Sequence, residues 1–506
     1  MEYISEQLKK RICYYVEKYV LPLIGYTIDE CKSLDCIFDD IDDFDEKTSY
    51  KFKNDKIEFV CKLSNINDAS KPANKKIFKD FMIDYIEFEM LGRKLFSSDN
   101  YFGYETGDKP FNELMYNNYI ERGICRWINS ESNSADNLEK LFKTLERWAV
   151  KTYEGHHVCY GFLIDLNEKK ELDNTMFHQD FMHFLDDEYS AILSDGFSSL
   201  IKLDQNCNFI DYLSLTDGGV IKECNLGDLC LPYRFSQLID TFINNDDNKN
   251  VVGIFLLQNG DIIVSKEREI KFIKRNNRWL NFSVTSFEKS IQRNIKNMEN
   301  KYLNQIYVTA LDVSLAHSGG IISVVDYDKL LDKKILNRID DLSNKIDENE
   351  LYFNEFEEKY CDLITMYDDN KKNELKKFIN LRDKAGLNNI ITSNRISELE
   401  VLNYEIIKRL TKRNVLLKLL KKENNFLKID RKLRAELIGM DGACIVDRNF
   451  NIISFGAIIR NEAGSSGGGR GAATKTLSCF DGFSIKISTD GYIEVYVNGK
   501  KVYSIK

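Results

Sequence analysis

The sequence predicts a multidomain protein of the α/β and α+β classes, whose C-terminal mixed sheet is flanked by helices and interrupted by a helical insertion. The stretch 251–284 reads as a β-meander, in which Asn259-Gly260 is a strong hairpin signal. Apolar residues recur at helical spacing between 138 and 149, which predicts an amphipathic helix. Residues 333–430 carry almost no strand signal, glycine or proline, and this composition is typical of helices.

These signals divide the chain into four predicted parts. The length of 506 residues is enough for three or four domains. Residues 1–135 form an N-terminal α+β region that has no recognisable motif, and residues 136–288 form an α+β domain around the meander. Residues 289–332 and 431–506 together form a C-terminal domain, and residues 333–430 are the helical insertion within it.

Two helical predictions bear on how this C-terminal domain would work. Ser290 to Ala316 is predicted as one long helix that leads into the domain. The second half of the insertion, 401–436, is basic and returns directly to the strand after Asp441. It is interpreted either as a lever that carries a ligand signal outward, or as an ordinary solvated helix or passive dimerisation arm.

The stretch from Asp441 to Ser478 carries the chemistry that the sequence offers. Asp441-Gly442-Ala443 precedes one buried strand, Ile452 to Ile458 reads as the next, and the glycine-rich run Gly464 to Gly471 follows as a predicted loop. Such an order would place the carboxylate and the loop near one edge of a sheet. Bare backbone N–H groups attract anions and a carboxylate holds a metal ion, so the pair suits a nucleotide polyphosphate. The alternative interpretation is an ordinary Asp-Gly turn and a flexible glycine linker.

The same stretch resembles the diadenylate cyclase (DisA-N) superfamily. In that family an Asp-Gly-Ala strand is followed by a loop of the form GTRHRAA-x-G-[IL]-S, and here Gly467 to Ser478 reads GGGRGAATKTLS. Upstream, Ala310 to Asp326 resembles the helix, turn and strand of the family. The likeness is greatest to a divergent branch, the DACNV probable sensor domain.

The resemblance implies a nucleotide-binding site and its residues. Asp441 would be the ligand of Mg²⁺ or Mn²⁺, and it would be the catalytic residue if the domain were active. The residues implied to bind nucleotide are Asp441, Gly442, Ala443, Gly467, Gly468, Gly469, Arg470, Gly471 and Ser478.

Departures from the family pattern bear on activity. The two arginines of the family fall on Gly469 and Gly471, its histidine falls on Arg470, and its later acidic pair becomes Thr489-Asp490. A triphosphate needs several cations, because each charge-assisted contact contributes separately. The sequence therefore favours a cytosolic sensor or regulatory protein that binds an adenine nucleotide or cyclic dinucleotide. The alternatives are an active diadenylate cyclase, a nucleotidyltransferase that condenses two ATP, and a non-catalytic interaction protein.

The overall composition limits the partners and the compartment. A net charge of −9 argues against general nucleic-acid binding, which needs a basic face. The twelve cysteines form no C-x-x-C pair, which indicates free thiols in a reducing cytosol. The polar start Met1-Glu2-Tyr3 and the shortness of the apolar runs predict a cytoplasmic protein without membrane contact. A homo-oligomer is consistent with the resemblance, because the cyclases need two facing sites.

Overall fold

The computed structural model consists of two compact units, Met1–His317 with Val502–Lys506, and Ser318–Lys501. The predicted division into four parts stays a prediction, and most of the insertion 333–430 lies outside the described residues. The residues that the structure describes are 6–25, 34–37, 49–53, 58–63, 78–86, 109–129, 132–168, 181–185, 188–215, 250–266, 269–282, 284–295, 298–331, 416, 419–420, 423–440, 442–457, 459 and 468–505.

The described helices of the first unit are mostly N-terminal or follow the meander. A π-helical segment, Val16–Val20, joins the first two, and a 3-10 helix covers Glu188–Ile192. The α-helices are α1 (Glu6–Tyr15), α2 (Leu21–Leu23), α3 (78–86), α4 (Lys109–Ile128), α5 (Ser132–Ala149), α6 (Phe181–Phe184), α7 (Val284–Gln292) and α8 (Asn300–Leu315).

The strands of the first unit form three sheets. Strands β1 to β3 make a three-stranded antiparallel sheet, β4 and β5 pair alone, and the other seven have the order β12-β11-β10-β9-β6-β7-β8. Within the seven-stranded sheet β6 and β7 are parallel, and the other pairs are antiparallel. The bounds are β1 Leu34–Ile37, β2 Ser49–Lys53, β3 Glu58–Leu63, β4 Thr152–Tyr153, β5 His156–His157, β6 Tyr160–Asp165, β7 Ser199–Asp204, β8 Phe209–Ser214, β9 Val251–Leu256, β10 Ile262–Lys266, β11 Glu269–Arg275 and β12 Arg278–Asn281.

The core of the first unit lies between this large sheet and its helices. Helix α5 buries Leu138, Leu141, Leu145 and Trp148, whose spacing puts them on one helical face. The Trp148 ring packs against Tyr160 of β6, with 4.8 Å between the ring centroids. The amphipathic helix and the meander strands predicted from the sequence are both present.

The single helix predicted over Ser290 to Ala316 is wrong, because the structure divides it into α7 and α8. The side-chain amide of Asn294 donates to the carbonyl of Ser290, and that of Gln292 donates to the carbonyl of Met298. Side chains that bond to the backbone in this way offer it an alternative to helix continuation. The backbone of Glu299 is extended, and α8 begins after it.

The second unit is built on a six-stranded mixed sheet with the order β15-β14-β13-β16-β17-β18, and residues 500 and 501 are the part of β18 that belongs to this unit. Strands β13 and β14 are parallel, whereas β14/β15, β13/β16 and β16/β17 are antiparallel. The strands are β13 Gly320–Val324, β14 Ala443–Val446, β15 Ile452–Ala457, β16 Phe483–Ile487, β17 Ile493–Val497 and β18 Lys500–Ile505, and the helices are α9 Tyr327–Leu331, α10 Arg431–Ile438 and α11 Gly468–Leu477.

Two of these helices cover the sheet. Helix α10 packs against β13, β14 and β15, and α11 packs against β13, β16 and β17. Strands β13, β14 and β17 are buried along their whole length, as continuous apolar runs in a covered sheet require. The protein therefore has mixed α/β content, with mixed sheets flanked by helices.

Candidate functional site

One edge of the second sheet collects the ends of four strands. Because β13 and β14 are parallel and pair Ile321 with Ala443, both begin at this edge. The antiparallel strands β15 and β16 end there, since Ala457 pairs with Ala443 and Ile487 pairs with Gly320. We call this the site edge. The sequence led us to expect that the strand after Asp441 begins where the next strand ends. Ala443, the first residue of β14, does pair with Ala457, the last residue of β15.

Close backbone packing explains the glycine of the Asp-Gly-Ala motif. Gly442 has a φ of +107°, and a Cβ on it would lie 2.3 Å from the carbonyl carbon of Gly456. No side chain fits so near a backbone atom, and this φ also disfavours one. The next residue, Ala443, is fully buried within β14. Asp441 lies outside the described residues, so its roles as metal ligand and catalytic residue stay predictions.

The glycine-rich run is only partly a loop. Gly464 to Gly467 lie outside the described residues, but Gly468 begins α11 with a φ of +72°. The predicted loop is therefore wrong for Gly468 to Gly471, which form the first turn of a helix. Ala472, Ala473 and Leu477 are buried in the unit, and this packing outweighs the low helix propensity of glycine.

Helix α11 brings Arg470 to the site edge. A Cβ on Gly319 would lie 2.8 Å from Nη1 of Arg470 and 3.2 Å from the backbone nitrogen of Thr489, so these three residues meet. Gly319 has a φ of +66°, and both the turn and the approach of the guanidinium require a glycine. The Arg470 side chain is half-buried, and among the described residues no hydrogen-bond acceptor or ion-pair partner engages it.

Ser478 lies at the other end of α11 and is used within the fold. Its hydroxyl donates to the carbonyl of Lys475 at 2.8 Å and accepts from the N–H of Gly499 at 2.9 Å. Its carbonyl accepts from the N–H of Asn498. The side chain is fully buried, and these bonds tie the end of α11 to the last hairpin turn. The geometry gives Ser478 a structural role, and nucleotide contact by this residue stays a prediction.

A cluster of charged side chains near α11 was missed at the sequence level. Lys486 of β16 lies directly opposite Glu494 of β17, and its Nζ is 3.2 Å from a carboxylate oxygen of Glu494. Lys501 Nζ is 2.8 Å from the other oxygen of the same carboxylate. The Asp490-Gly491 turn and the alternation of the two strands were the signal that could have paired Lys486 with Glu494.

The carboxylate of Glu494 is buried, and it accepts a hydrogen bond as well as forming its two ion pairs. Its side chain is 5% exposed, and the hydroxyl of Tyr496 donates to it at 3.1 Å. Burial, followed by the neighbouring charge of Glu494, raises the pKa of Tyr496 to about 12. The tyrosine therefore stays a neutral donor at physiological pH. Lys486 also borders α11, since a Cβ on Gly471 would lie 4.0 Å from its Nζ.

A second buried charge cluster lies within the first unit. Arg275 donates from Nε and Nη2 to Oδ2 of Asp261 at 2.9 and 2.6 Å, and from Nη1 to the hydroxyl of Ser314 at 3.1 Å. His317 Nε2 is 3.4 Å from the same carboxylate oxygen. Burial raises the pKa of Asp261, but the hydrogen bonds from His317 and Arg275 outweigh it and leave the pKa below its usual value.

The arrangement at the site edge suits an anion better than a cation. The first turn of α11 carries backbone N–H groups at the positive end of the helix dipole, Arg470 belongs to that turn, and Lys486 of β16 lies beside it. Within the described part of the chain, no group of three or more His, Cys, Asp or Glu side chains is placed to hold a metal ion. Mg²⁺ or Mn²⁺ at Asp441 stays a prediction.

No protein-family model, curated protein or solved structure matches this chain. None of the helices in the described ranges has both the length and the apolar character needed to cross a membrane.

Proposed function

We propose that this chain is a cytosolic nucleotide-binding sensor or regulatory protein, whose C-terminal domain is a degenerate relative of the diadenylate cyclase (DisA-N) domain. The ligand is an adenine nucleotide or a cyclic dinucleotide. The observation that carries this proposal is the position of Arg470, which meets Gly319 and Thr489 at the edge where the Asp-Gly-Ala strand begins.

Three properties of Arg470 support a phosphate contact. A guanidinium presents five N–H donors in a planar fork that matches the oxygens of a phosphate. No described residue accepts a hydrogen bond from those donors, so a ligand can take them without breaking a bond to any residue that the structure describes. The first turn of α11 offers backbone N–H groups in the same place, and helix N-termini bind phosphates readily.

The residue types favour binding over synthesis. Gly469 and Gly471 stand where the family resemblance expects two arginines, and among the described residues nothing lies within 4 Å of a Cβ placed on Gly469. Condensation of two ATP molecules would need cations that stabilise the charge developing on the phosphates. Arg470 alone replaces the three basic residues of the family loop, which supports a sensor rather than a working cyclase.

The test is calorimetric titration of the purified chain with ATP and with cyclic di-AMP. We expect binding of at least one of them, and Arg470→Ala is expected to weaken it by about 1.5–3 kcal/mol, the range for a charge-assisted contact. Arg448→Ala is the matched control. Arg448 pairs with Asp326 and Asp481, which adjoin the opposite ends of the same strands, and its loss should leave affinity unchanged.

The alternative function, an active diadenylate cyclase, is tested with the same protein preparation. Incubation with labelled ATP and Mg²⁺ or Mn²⁺ is expected to give no cyclic dinucleotide. Product that disappears in Asp441→Asn would establish the cyclase instead. If no nucleotide gives a heat of binding and no product forms, both nucleotide hypotheses are excluded. The non-catalytic interaction protein is then the remaining alternative.

A further inference from the structure

We infer that Lys486 supplies the second cation of the site, from a strand rather than from the loop, and that it contacts the polyphosphate of the ligand. The inference rests on the proposed function and adds a residue that the family pattern does not contain. Its basis is the cluster formed by Lys486, Glu494 and Lys501 beside α11.

The first step is the charge of the cluster. One carboxylate, that of Glu494, lies between the ammonium groups of Lys486 and Lys501. Glu494 can neutralise only one of them, so the cluster keeps one positive charge. The low exposure of Glu494 reduces the screening of that charge by water.

The second step is the unused bonding capacity of Lys486. A lysine ammonium has three donors, and within the described part of the chain Lys486 gives one to Glu494 and none to any other acceptor. Its side chain is 22% exposed, so part of it is accessible to a ligand. The ion pair with Glu494 limits the positions that the ammonium can take.

The third step is location. Nζ of Lys486 faces Gly471, and Arg470 is the preceding residue of the same helical turn. Gly471 has no side chain that would separate the ammonium from this turn. Arg470 therefore belongs to the stretch of backbone that the ammonium of Lys486 borders. Two cations around one turn match an anion that carries at least two charges, as the phosphate chain of a nucleotide does.

The decisive experiment compares Lys486→Met with Lys501→Met in calorimetric titrations with ATP and with inorganic tripolyphosphate. Both substitutions remove one lysine from Glu494 and keep a long apolar stem. Lys486→Met is expected to lower the affinity for both probes about tenfold, the scale of one charge-assisted contact, and Lys501→Met less than threefold. Lys486→Arg should restore affinity to within about threefold of the wild type.

The outcomes separate this inference from the function on which it rests. Loss of affinity in Arg470→Ala but not in Lys486→Met overturns the role of Lys486 and leaves the proposed function standing. Equal losses in Lys486→Met and Lys501→Met show a structural ion-pair network and also overturn it. A wild type that binds neither probe overturns the inference, and it overturns the proposed function as well if cyclic di-AMP does not bind.

A second variant keeps the test valid if Lys486→Met fails to fold. Glu494→Gln removes the carboxylate that competes with the ligand for Lys486, while both lysines remain. Affinity for tripolyphosphate is expected to rise about threefold, even if the melting temperature falls. A cluster that served only the fold would show lower or unchanged affinity, and that result overturns the inference.

Discussion

Arg275 and Arg470 are the same residue type in opposite situations. Arg275 has no exposed side-chain surface, and its guanidinium donates hydrogen bonds to Asp261 and Ser314. Arg470 is half-buried, and among the described residues it donates to none. The comparison teaches that the bonding state of an arginine, rather than its presence, separates a residue that holds the fold from one that is available to a ligand.

The largest expected effect comes from breaking the buried pair. Arg275→Met should destabilise the protein by about 3–5 kcal/mol, because it leaves the carboxylate of Asp261 buried without its main partner. Arg470→Ala should change the free energy of unfolding by less than about 0.5 kcal/mol, since no bond in the described part of the fold is lost. Urea unfolding of both variants measures the contrast.

The double variant Asp261→Asn with Arg275→Met is the control for this comparison. Removing both charges leaves no uncompensated ion, so the double variant should be less destabilised than the sum of the single ones. Strict additivity would contradict the view that Arg275 and Asp261 act as a pair.

Gly442→Ala is expected to have the next largest effect. The added methyl group would meet the backbone of Gly456, and a φ of +107° is unfavourable for alanine, so we expect a loss of about 2–4 kcal/mol. Gly469→Ala is the matched control in the same unit. A Cβ at 469 meets no described atom within 4 Å, and alanine favours a helix, so its stability should be unchanged or slightly higher. Equal losses in the two variants would contradict the close packing at Gly442.

The smallest expected effect is the loss of folding stability at low pH. The folded-state pKa of Asp261 is depressed, so its contribution is fully present above the unfolded value near 4 and is lost as pH falls through the lower folded value. As pH falls below about 4, the wild type should therefore lose stability that Asp261→Asn does not lose. Parallel curves for the two proteins in a pH series of urea unfolding would contradict this sign.

The sequence predicted much of this geometry where local signals and burial agree. The Asn259-Gly260 turn and the alternating strands around it gave the meander, and the edge shared by Gly442 and the end of β15 followed from strand order. These features depend on a few neighbouring residues, so they can be recognised without the rest of the chain.

The features that the sequence analysis predicted wrongly or did not find share a physical cause, because each depends on tertiary contacts. Glycine has low helix propensity, yet Gly468 to Gly471 enter a helix because the residues after them are buried. The break between α7 and α8 depends on side-chain amides that bond to particular carbonyls. The turn at Asp490-Gly491 could have paired Lys486 with Glu494, but the approach of Lys486 to Gly471 depends on how α11 packs on the sheet.

The parallel pairing of β13 with β14 has a consequence for synthesis. Ile321 pairs with Ala443, about 120 residues later in the sequence, and Gly320 pairs with Ile487, which is later still. At ~5–20 residues per second on the ribosome, the apolar strand β13 waits roughly 6–25 s for its first partner. Expression with more chaperone should therefore raise the yield of folded protein, and slow translation between β13 and β14 should lower it.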